Sequence, residues 1–306
     1  MRPGFAILLK LCAVTLFTVM AALIKAASAE VPPGQAVFFR SFCALPVILA
    51  WLALRGELRG GLATRRPLAH LWRGILGTSA MAMKFAALAL LSLPEVTAIS
   101  FAAPILVVLF AALMLGEQVR AFRLSMVGLG FLGVLIILWP RLGGGAAGAL
   151  PSETLGAVLA LGGAAAAALA HVTVRRLTAT EATPTIVFWF SVTASVLALA
   201  TLPFGWVVPS SPVLGLLVAA GLVGGMGQLF LTSAYRHGPA SVVAPFDYAS
   251  MLLALVIGYA VFAEAPTWPM LGGAAVLIGA GLAIIFRERR LGLERGRARA
   301  GMTPQG

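Results

Sequence analysis

Six charged side chains lie inside apolar stretches that are each long enough to cross a bilayer. A charge at the centre of a bilayer costs about 3 kcal/mol or more, so these residues usually face a bundle interior, pair with one another or reach an interface. Five are basic and lie in the first half, and the acidic one lies in the second: Lys10, Lys25, Arg40, Arg73, Lys84 and Asp247. These residues are the first candidates for binding, gating or ion coupling.

Lys84 is the charge best placed to contact a bound molecule. At 1.5 Å per residue it lies roughly 10 Å from the nearer end of its stretch. A lysine at this depth either extends to the interface or receives a carboxylate from a ligand. Four further side chains away from stretch ends either contact the same ligand or pack against neighbouring helices: Phe101, Trp189, Gln228 and Tyr248.

The remaining charges suggest a gate at each end of the bundle. Lys10 and Asp247 lie at similar depths near the end of the bundle opposite Lys84. We therefore expect them to form a buried pair, which either acts as a gate or only neutralises its own two charges. Lys25 and Arg40 flank a loop containing Pro32 and Pro33, and either reach the interface or line a vestibule. Arg73 lies one turn into its stretch and is expected to extend to the interface.

Two prolines interrupt apolar stretches at membrane depth. Pro104 and Pro245 each remove a backbone donor and free a carbonyl, which allows bending. We therefore interpret both as hinges or as points of substrate contact.

These residues are positioned by an almost continuous series of apolar stretches. Hydrophobic residues make up 60% of the 306 residues, charged residues 10%, and the mean hydropathy is +1.01, which is typical of a membrane protein. The composition predicts an all-α membrane protein with ten transmembrane helices. We place them at 5–27, 36–54, 69–91, 95–115, 122–139, 153–175, 184–203, 213–235, 240–262 and 267–286.

The basic residues outside these stretches predict the orientation. With a cytoplasmic N-terminus, 16 arginines fall on the cytoplasmic side and only Arg141 falls on the other. Because positive loops are retained inside during insertion, both termini are predicted to be cytoplasmic. The net charge of +12 mostly reflects this bias, and the basic tail at 291–306 is expected to contact lipid headgroups rather than nucleic acid.

The Gly-rich segment at 143–152 divides the chain into halves of five stretches each, at 1–142 and 153–290. An odd number of spans per half makes the second half insert upside down relative to the first. Inverted repeats of this kind typically form carriers whose substrate lies between the halves, near the midplane. We therefore expect alternating access in a single subunit, with a small molecule and the lipid bilayer as its partners.

The sequence offers little for other chemistry. It contains no P-loop, dinucleotide fingerprint or HExxH motif, so no cofactor, metal or catalytic residue is predicted. Cys12 and Cys43 are interpreted as small apolar residues. An intramembrane hydrolase using Ser79 and His171 remains a distant alternative, because our topology places them on opposite sides of the midplane.

The motifs also carry a resemblance that extends over residues 5–286. The chain resembles the EamA-type ten-helix transporters of the drug/metabolite transporter superfamily, which include amino-acid exporters of the YddG type. The resemblance depends on motifs in both halves: Lys25, Pro32-Pro33, Arg40, Thr97–Pro104 and Gly116-Glu117, then Ala234, Pro239–Ser241, Pro245–Tyr248, Glu264 and the Gly-rich tenth stretch. It implies two inverted EamA repeats and an alternating-access carrier of the bacterial inner membrane.

The substrate expectation follows from charge and polarity. The apolar stretches contain five basic residues and one aspartate, which favours a substrate with a carboxylate. Their few polar residues favour a substrate with an apolar side chain over a sugar. We expect export of neutral or aromatic amino acids and related metabolites. Uptake of riboflavin or S-adenosylmethionine is the alternative that the resemblance offers, and both proton coupling and uniport stay open.

Overall fold

The computed structural model describes residues 3–58, 62–115, 121–142, 151–177, 180–237 and 244–300. These residues form α-helices joined by short connections, and no β-strand occurs among them. The α-helices are α1 (Pro3–Ala27), α2 (Pro33–Phe42), α3 (Ala44–Leu54), α4 (Pro67–Leu90), α5 (Leu93–Ser100), α6 (Ala102–Leu115), α7 (Ala121–Leu138), α8 (Pro151–Leu177), α9 (Thr183–Leu199), α10 (Ser211–His237), α11 (Ala249–Phe262) and α12 (Trp268–Ala300). Short 3₁₀ helices cover Trp139–Leu142 and Ala244–Tyr248.

Each predicted stretch contains helix, and five helical segments have both the length and the apolar composition to cross a bilayer. These are Gly4–Ala27, Pro33–Leu54, Pro151–Val174, Ser211–Leu231 and Trp268–Arg287. The all-α architecture of the prediction is therefore confirmed. The Gly116-Glu117 and Pro239–Ser241 motifs, residues 143–150 of the predicted linker and residues 301–306 of the predicted tail lie outside the described residues.

The second and fourth predicted spans are each broken into two helices. The α2 helix ends at Phe42 and α5 ends at Ser100. Each of these residues lies four positions before a proline, Pro46 or Pro104, and a proline ring clashes with the carbonyl at that position. The ninth span is also not a single helix, because Pro245 lies in the 3₁₀ segment that precedes α11.

Two further boundaries differ from the prediction. The seventh span is shorter than expected, since α9 ends at Leu199 rather than near residue 203. The last helix is longer, since α12 continues to Ala300 and includes the first part of the predicted tail. The hydropathy pattern locates the membrane-spanning part of a helix, and a polar helical extension beyond it leaves no apolar signal.

Helices from the two halves of the chain pack directly against one another. The most extensive contacts join α1 to α10, α4 to α8, and α7 to α12. A continuous apolar core runs through these helices, and it includes Ile24, Phe85, Ile99, Val134 and Leu277. The halves are therefore interleaved and form one shared core.

The α7–α12 contact depends on backbone contact between two glycines. A Cβ added to Gly273 would lie 2.5 Å from the carbonyl oxygen of Gly133, and one added to Gly133 would lie 2.8 Å from that of Gly273. Small residues permit such close approach of helices in lipid.

Gly273→Val is therefore expected to lower the thermal unfolding temperature in detergent by roughly 5 °C, because overpacking costs about 1–3 kcal/mol. Gly272→Val is the matched control, since nothing lies within 4 Å of a Cβ added at Gly272. Equal melting temperatures for the two variants would contradict this account of the interface.

Candidate functional site

Two ion pairs attach α1 to the polypeptide around α11. The Lys10 Nζ lies 2.6 Å from Asp247 Oδ1, which confirms the predicted contact, and the Lys25 Nζ lies 2.8 Å from Glu264 Oε1. Both lysines are on α1, about 22 Å apart along its axis. Each pair joins a first-half lysine to a second-half acid, so the halves are connected by charge at two levels.

The Lys25–Glu264 pair belongs to a larger hydrogen-bonded network. Lys25 Nζ also donates to the carbonyl oxygens of Leu88 at 3.2 Å and Leu91 at 2.6 Å. The second carboxylate oxygen of Glu264 accepts a hydrogen bond of 2.8 Å from the backbone N–H of Leu93. The network connects α1, the end of α4, the start of α5 and the end of α11.

Local sequence explains why these groups meet. Ser92 and Glu95 form a reciprocal capping box that begins α5 directly after the end of α4. At the end of α11, Ala263 adopts a left-handed conformation with φ of 53°, and Glu264 N–H donates to the carbonyl of Gly258. A left-handed C-terminal residue turns the chain back on itself, which directs Glu264 towards α5.

Glu264→Gln is expected to lower the melting temperature, because it removes the carboxylate that neutralises a largely buried ammonium. Hydrogen bonds to charged groups contribute about 1.5–3 kcal/mol. Glu30→Gln is the control, since Glu30 is exposed and its carboxylate accepts hydrogen bonds from the exposed Ser210. A Glu264→Gln protein as stable as the control would show that the network does not stabilise this end of the bundle.

The two side chains of the Lys10–Asp247 pair differ in their exposure to solvent. The Lys10 side chain is 2% exposed, whereas that of Asp247 is 48% exposed. Directly after Asp247, the Tyr248 ring meets the Phe101 ring edge-on at a centroid distance of 5.1 Å. The two aromatic residues were predicted separately, and the structure brings them together where both helices are interrupted.

Arg73 does not extend to the interface as the sequence analysis predicts. Its Nη1 lies where a Cβ on Gly77 would be, one turn further into the helix, and its guanidinium carbon lies 4.2 Å from the centre of the Phe190 ring. Its Nε and Nη1 are buried and make no hydrogen bond. Snorkelling is therefore the wrong description of this side chain, which turns into the bundle.

Arg40 approaches the same aromatic ring. It is 6% exposed, its guanidinium carbon lies 5.8 Å from the centre of the Phe190 ring, and its Nε has no hydrogen-bond partner. A Cβ added to Gly224 of α10 would lie 3.5 Å from that Nε. The structure therefore places Arg40 between helices of both halves.

Lys84 lies on the same face of α4 as Arg73, eleven residues along the helix, which corresponds to about 16 Å. It is partly exposed, and none of the described acidic residues forms an ion pair with it. We call Arg40, Arg73 and Lys84 the basic core. Its three charges have no acidic partner among the described residues.

His171 of α8 is an exposed residue that lies within electrostatic range of Arg73 on α4 and Lys10 on α1. Ser79, the other residue of the hydrolase alternative, makes no hydrogen bond with His171.

Trp189 and Gln228 differ in their surroundings from the other predicted binding residues. The indole N–H of Trp189 donates to the carbonyl of Leu62 at 3.0 Å, and its ring packs edge-on against Phe188. This contact fixes the segment before α4. Gln228 is half-buried on α10 with no hydrogen-bond partner among the described residues, and its role in binding stays a prediction.

The sequence analysis also missed a polar cluster around Glu181, beside Trp189. The Glu181 carboxylate accepts hydrogen bonds from Thr64 Oγ1 at 3.0 Å and from the N–H of Arg65 at 3.2 Å. His70 Nε2 lies 3.9 Å from the same carboxylate. Glu181 precedes a helix in an otherwise polar connection, so its sequence gave no sign of these distant partners.

Comparison with known proteins identifies the family. The model of the EamA-like transporter family matches residues 4–139 and again residues 154–287. The chain belongs to the EamA-like transporter family. It is accordingly a multi-pass membrane transporter of small molecules, as the resemblance implied.

Characterised relatives of this EamA-like chain handle different molecules. It is 33% identical over 282 residues to the pseudopaline exporter CntI of Pseudomonas aeruginosa, covering 91% of this chain and 95% of the relative. It is 33% identical to a riboflavin transporter of Rhizobium johnstonii, covering 85% and 83% respectively. It is 27% identical to an S-adenosylmethionine uptake transporter of Rickettsia conorii, covering 84% of each.

A solved crystal structure supports the fold alone. It matches with a TM-score of 0.66 at 23% sequence identity, covering 95% of this chain and 99% of the solved chain. The helical arrangement of this EamA-like protein is therefore shared with an experimentally determined structure.

Proposed function

We propose that this protein is an alternating-access carrier that exports amino acids and related carboxylate-bearing metabolites. The observation that carries the proposal is the basic core, which lies between two ion pairs joining the halves of the chain. Unpaired cations in a membrane-embedded bundle are costly, and they are retained where a ligand or an ion path requires them. An anionic group of the substrate would compensate these charges.

Helix packing supports an arrangement of two inverted repeats, 1–142 and 153–290, joined by the linker 143–152. In that arrangement the first span (α1) corresponds to the sixth (α8), and the third span (α4) corresponds to the eighth (α10). The contacts of α1 with α10 and of α4 with α8 then become equivalent, and both are among the most extensive. The fifth and tenth spans, α7 and α12, contact each other as such a pair should.

The distribution of basic residues supports cytoplasmic termini in the bacterial inner membrane. In this orientation the Lys25–Glu264 network is the external gate, and Lys10–Asp247 lies on the cytoplasmic side. The proposed cycle opens one end while the other is held by its ion pair. The broken helices at Pro104 and Pro245 act as hinges, and a monomer contains the complete pathway.

The alternatives differ in their fit to the basic core. S-adenosylmethionine carries a sulfonium cation, which the three unpaired positive charges would repel. Riboflavin is the second candidate, because the Phe101–Tyr248 contact offers aromatic faces for a flat ring system. Export of neutral or aromatic amino acids remains a prediction, in which the same rings contact the substrate side chain.

Counterflow in proteoliposomes tests the proposal. Vesicles containing the purified protein are preloaded in turn with amino acids, riboflavin and S-adenosylmethionine, and uptake of the same labelled compound is measured. We expect preloading with amino acids to accelerate uptake relative to empty vesicles. Acceleration by riboflavin or S-adenosylmethionine alone would refute amino-acid export and leave the carrier mechanism intact.

A further inference from the structure

We infer that the substrate carries at least two carboxylate groups, and that Arg40 and Arg73 are the residues that bind them. This inference rests on the proposed carrier function and narrows its substrate class from carboxylate-bearing metabolites in general to those with two carboxylates. The proposal rests on two arginines from different helices that share one aromatic ring, while no acidic side chain among the described residues pairs with either of them.

The geometry brings the two guanidinium groups close together. Because their carbons lie 4.2 Å and 5.8 Å from the same ring centroid of Phe190, they are at most about 10 Å apart. Phe190 itself is buried, and it supports both groups through cation–π contact. A molecule with two carboxylates reaches both positions, whereas acidic side chains of the protein reach neither among the described residues.

The chemistry of arginine makes this arrangement informative. A buried lysine can lose its proton, but arginine stays charged in proteins, so burial leaves the charge to be compensated. Arg40 is 6% exposed, and both arginines leave buried N–H groups without hydrogen bonds. A guanidinium group binds a carboxylate through two parallel hydrogen bonds, which satisfies such groups and neutralises the charge.

The charge count favours a dianion over a single carboxylate. Lys10 and Lys25 are each paired with an acid, whereas Arg40, Arg73 and Lys84 have no acidic partner among the described residues. A neutral amino acid brings one carboxylate together with an ammonium group, so its net charge is zero and compensates none of the excess. A metabolite with two carboxylates and no ammonium group compensates two of the three charges.

Glycine positions leave room for the guanidinium groups to be oriented this way. A Cβ at Gly77 would overlap Arg73 Nη1 and would approach the Phe190 ring to 2.7 Å. A side chain at Gly224 would approach Arg40 Nε. The direction of Arg73 therefore requires a glycine at position 77, whereas a Cβ at Gly224 would lie at an ordinary contact distance of 3.5 Å from Arg40 Nε.

The test compares ligands that differ by one charge at constant size. Equilibrium binding to the purified full-length protein is measured for glutamate against glutamine, for N-acetylglutamate against N-acetylglutamine, and for inorganic phosphate. We expect at least one dicarboxylate to bind about tenfold or more tightly than its amide partner, since a charged hydrogen bond contributes about 1.5–3 kcal/mol.

Arg40→Gln and Arg73→Gln are each expected to remove that preference, whereas Arg55→Gln is expected to keep it. Arg55 is an exposed arginine that stacks on Trp51 and is the matched control. If the glutamine variants fail to fold, Arg40→Lys and Arg73→Lys retain the charge but lose the paired hydrogen bonds, and are expected to reduce the preference.

Three outcomes would overturn the inference: equal binding of each acid and its amide, an unchanged preference in the arginine variants, or binding of phosphate without any dicarboxylate. Counterflow separates these from failure of the carrier proposal. Exchange of neutral amino acids without a dicarboxylate preference would keep the carrier and refute the two-carboxylate site.

Discussion

Lys84→Met is expected to reduce counterflow transport by about a hundredfold, the upper end of what loss of a charged hydrogen bond to the substrate costs. The same substitution is expected to leave the melting temperature of the empty protein unchanged or higher. Lys84 has no acidic partner among the described residues, so methionine of similar length removes a desolvation cost without breaking a pair. A residue kept for function at the expense of stability produces this combination.

Two measurements separate this role from a structural one. Thermal unfolding in detergent reports stability, and the dependence of counterflow rate on substrate concentration reports affinity. The control is Lys25→Met, which breaks a pair with Glu264 and is expected to lower both stability and transport. A Lys84→Met protein that transports at the wild-type rate would remove Lys84 from the binding site.

Asp247→Asn is expected to destabilise the protein by about 3 kcal/mol, because it removes the carboxylate that lies 2.6 Å from the buried ammonium of Lys10. This loss of stability is at the lower end of the range for breaking a buried ion pair, because the Asp247 side chain is itself about half exposed. We also expect transport to fall strongly, because this pair is the proposed cytoplasmic gate. Denaturation by temperature and counterflow provide the two readouts.

A double variant tests whether the pair acts as a unit. Lys10→Met with Asp247→Leu removes both charges, and replacement of a buried ion pair by apolar residues is often neutral or stabilising. We therefore expect stability to recover while transport stays low. Recovery of transport together with stability would show that the pair only neutralises itself and does not gate or couple.

Local sequence predicted much of the helical framework. The apolar stretches located the spans because each helix must satisfy its backbone within the bilayer. Glycines also mark points of close helix packing: Gly221 lies against Phe39 and Cys43, and Gly225 against Ala44. The break after Phe42 was missed, although the proline four residues later was visible in the sequence.

The site was less predictable because its contacts join distant parts of the chain. The depth of Lys10 and Asp247 predicted their meeting, since both lie a fixed number of residues from a span end. Depth alone did not predict the direction of Arg73, which is decided by the absence of a side chain at Gly77 and by the ring of Phe190. Pairing of Lys25 with Glu264 likewise depends on the left-handed turn at Ala263.

Alternating access requires the face of α4 between Arg73 and Lys84 to open in turn to each side of the membrane. Ala80 lies on that face, so a single cysteine is placed there in a chain with Cys12→Ala and Cys43→Ala. Reaction with a membrane-impermeant maleimide is measured from each side of reconstituted vesicles. The account predicts labelling from both sides, slowed by substrate, and labelling from one side only would contradict it.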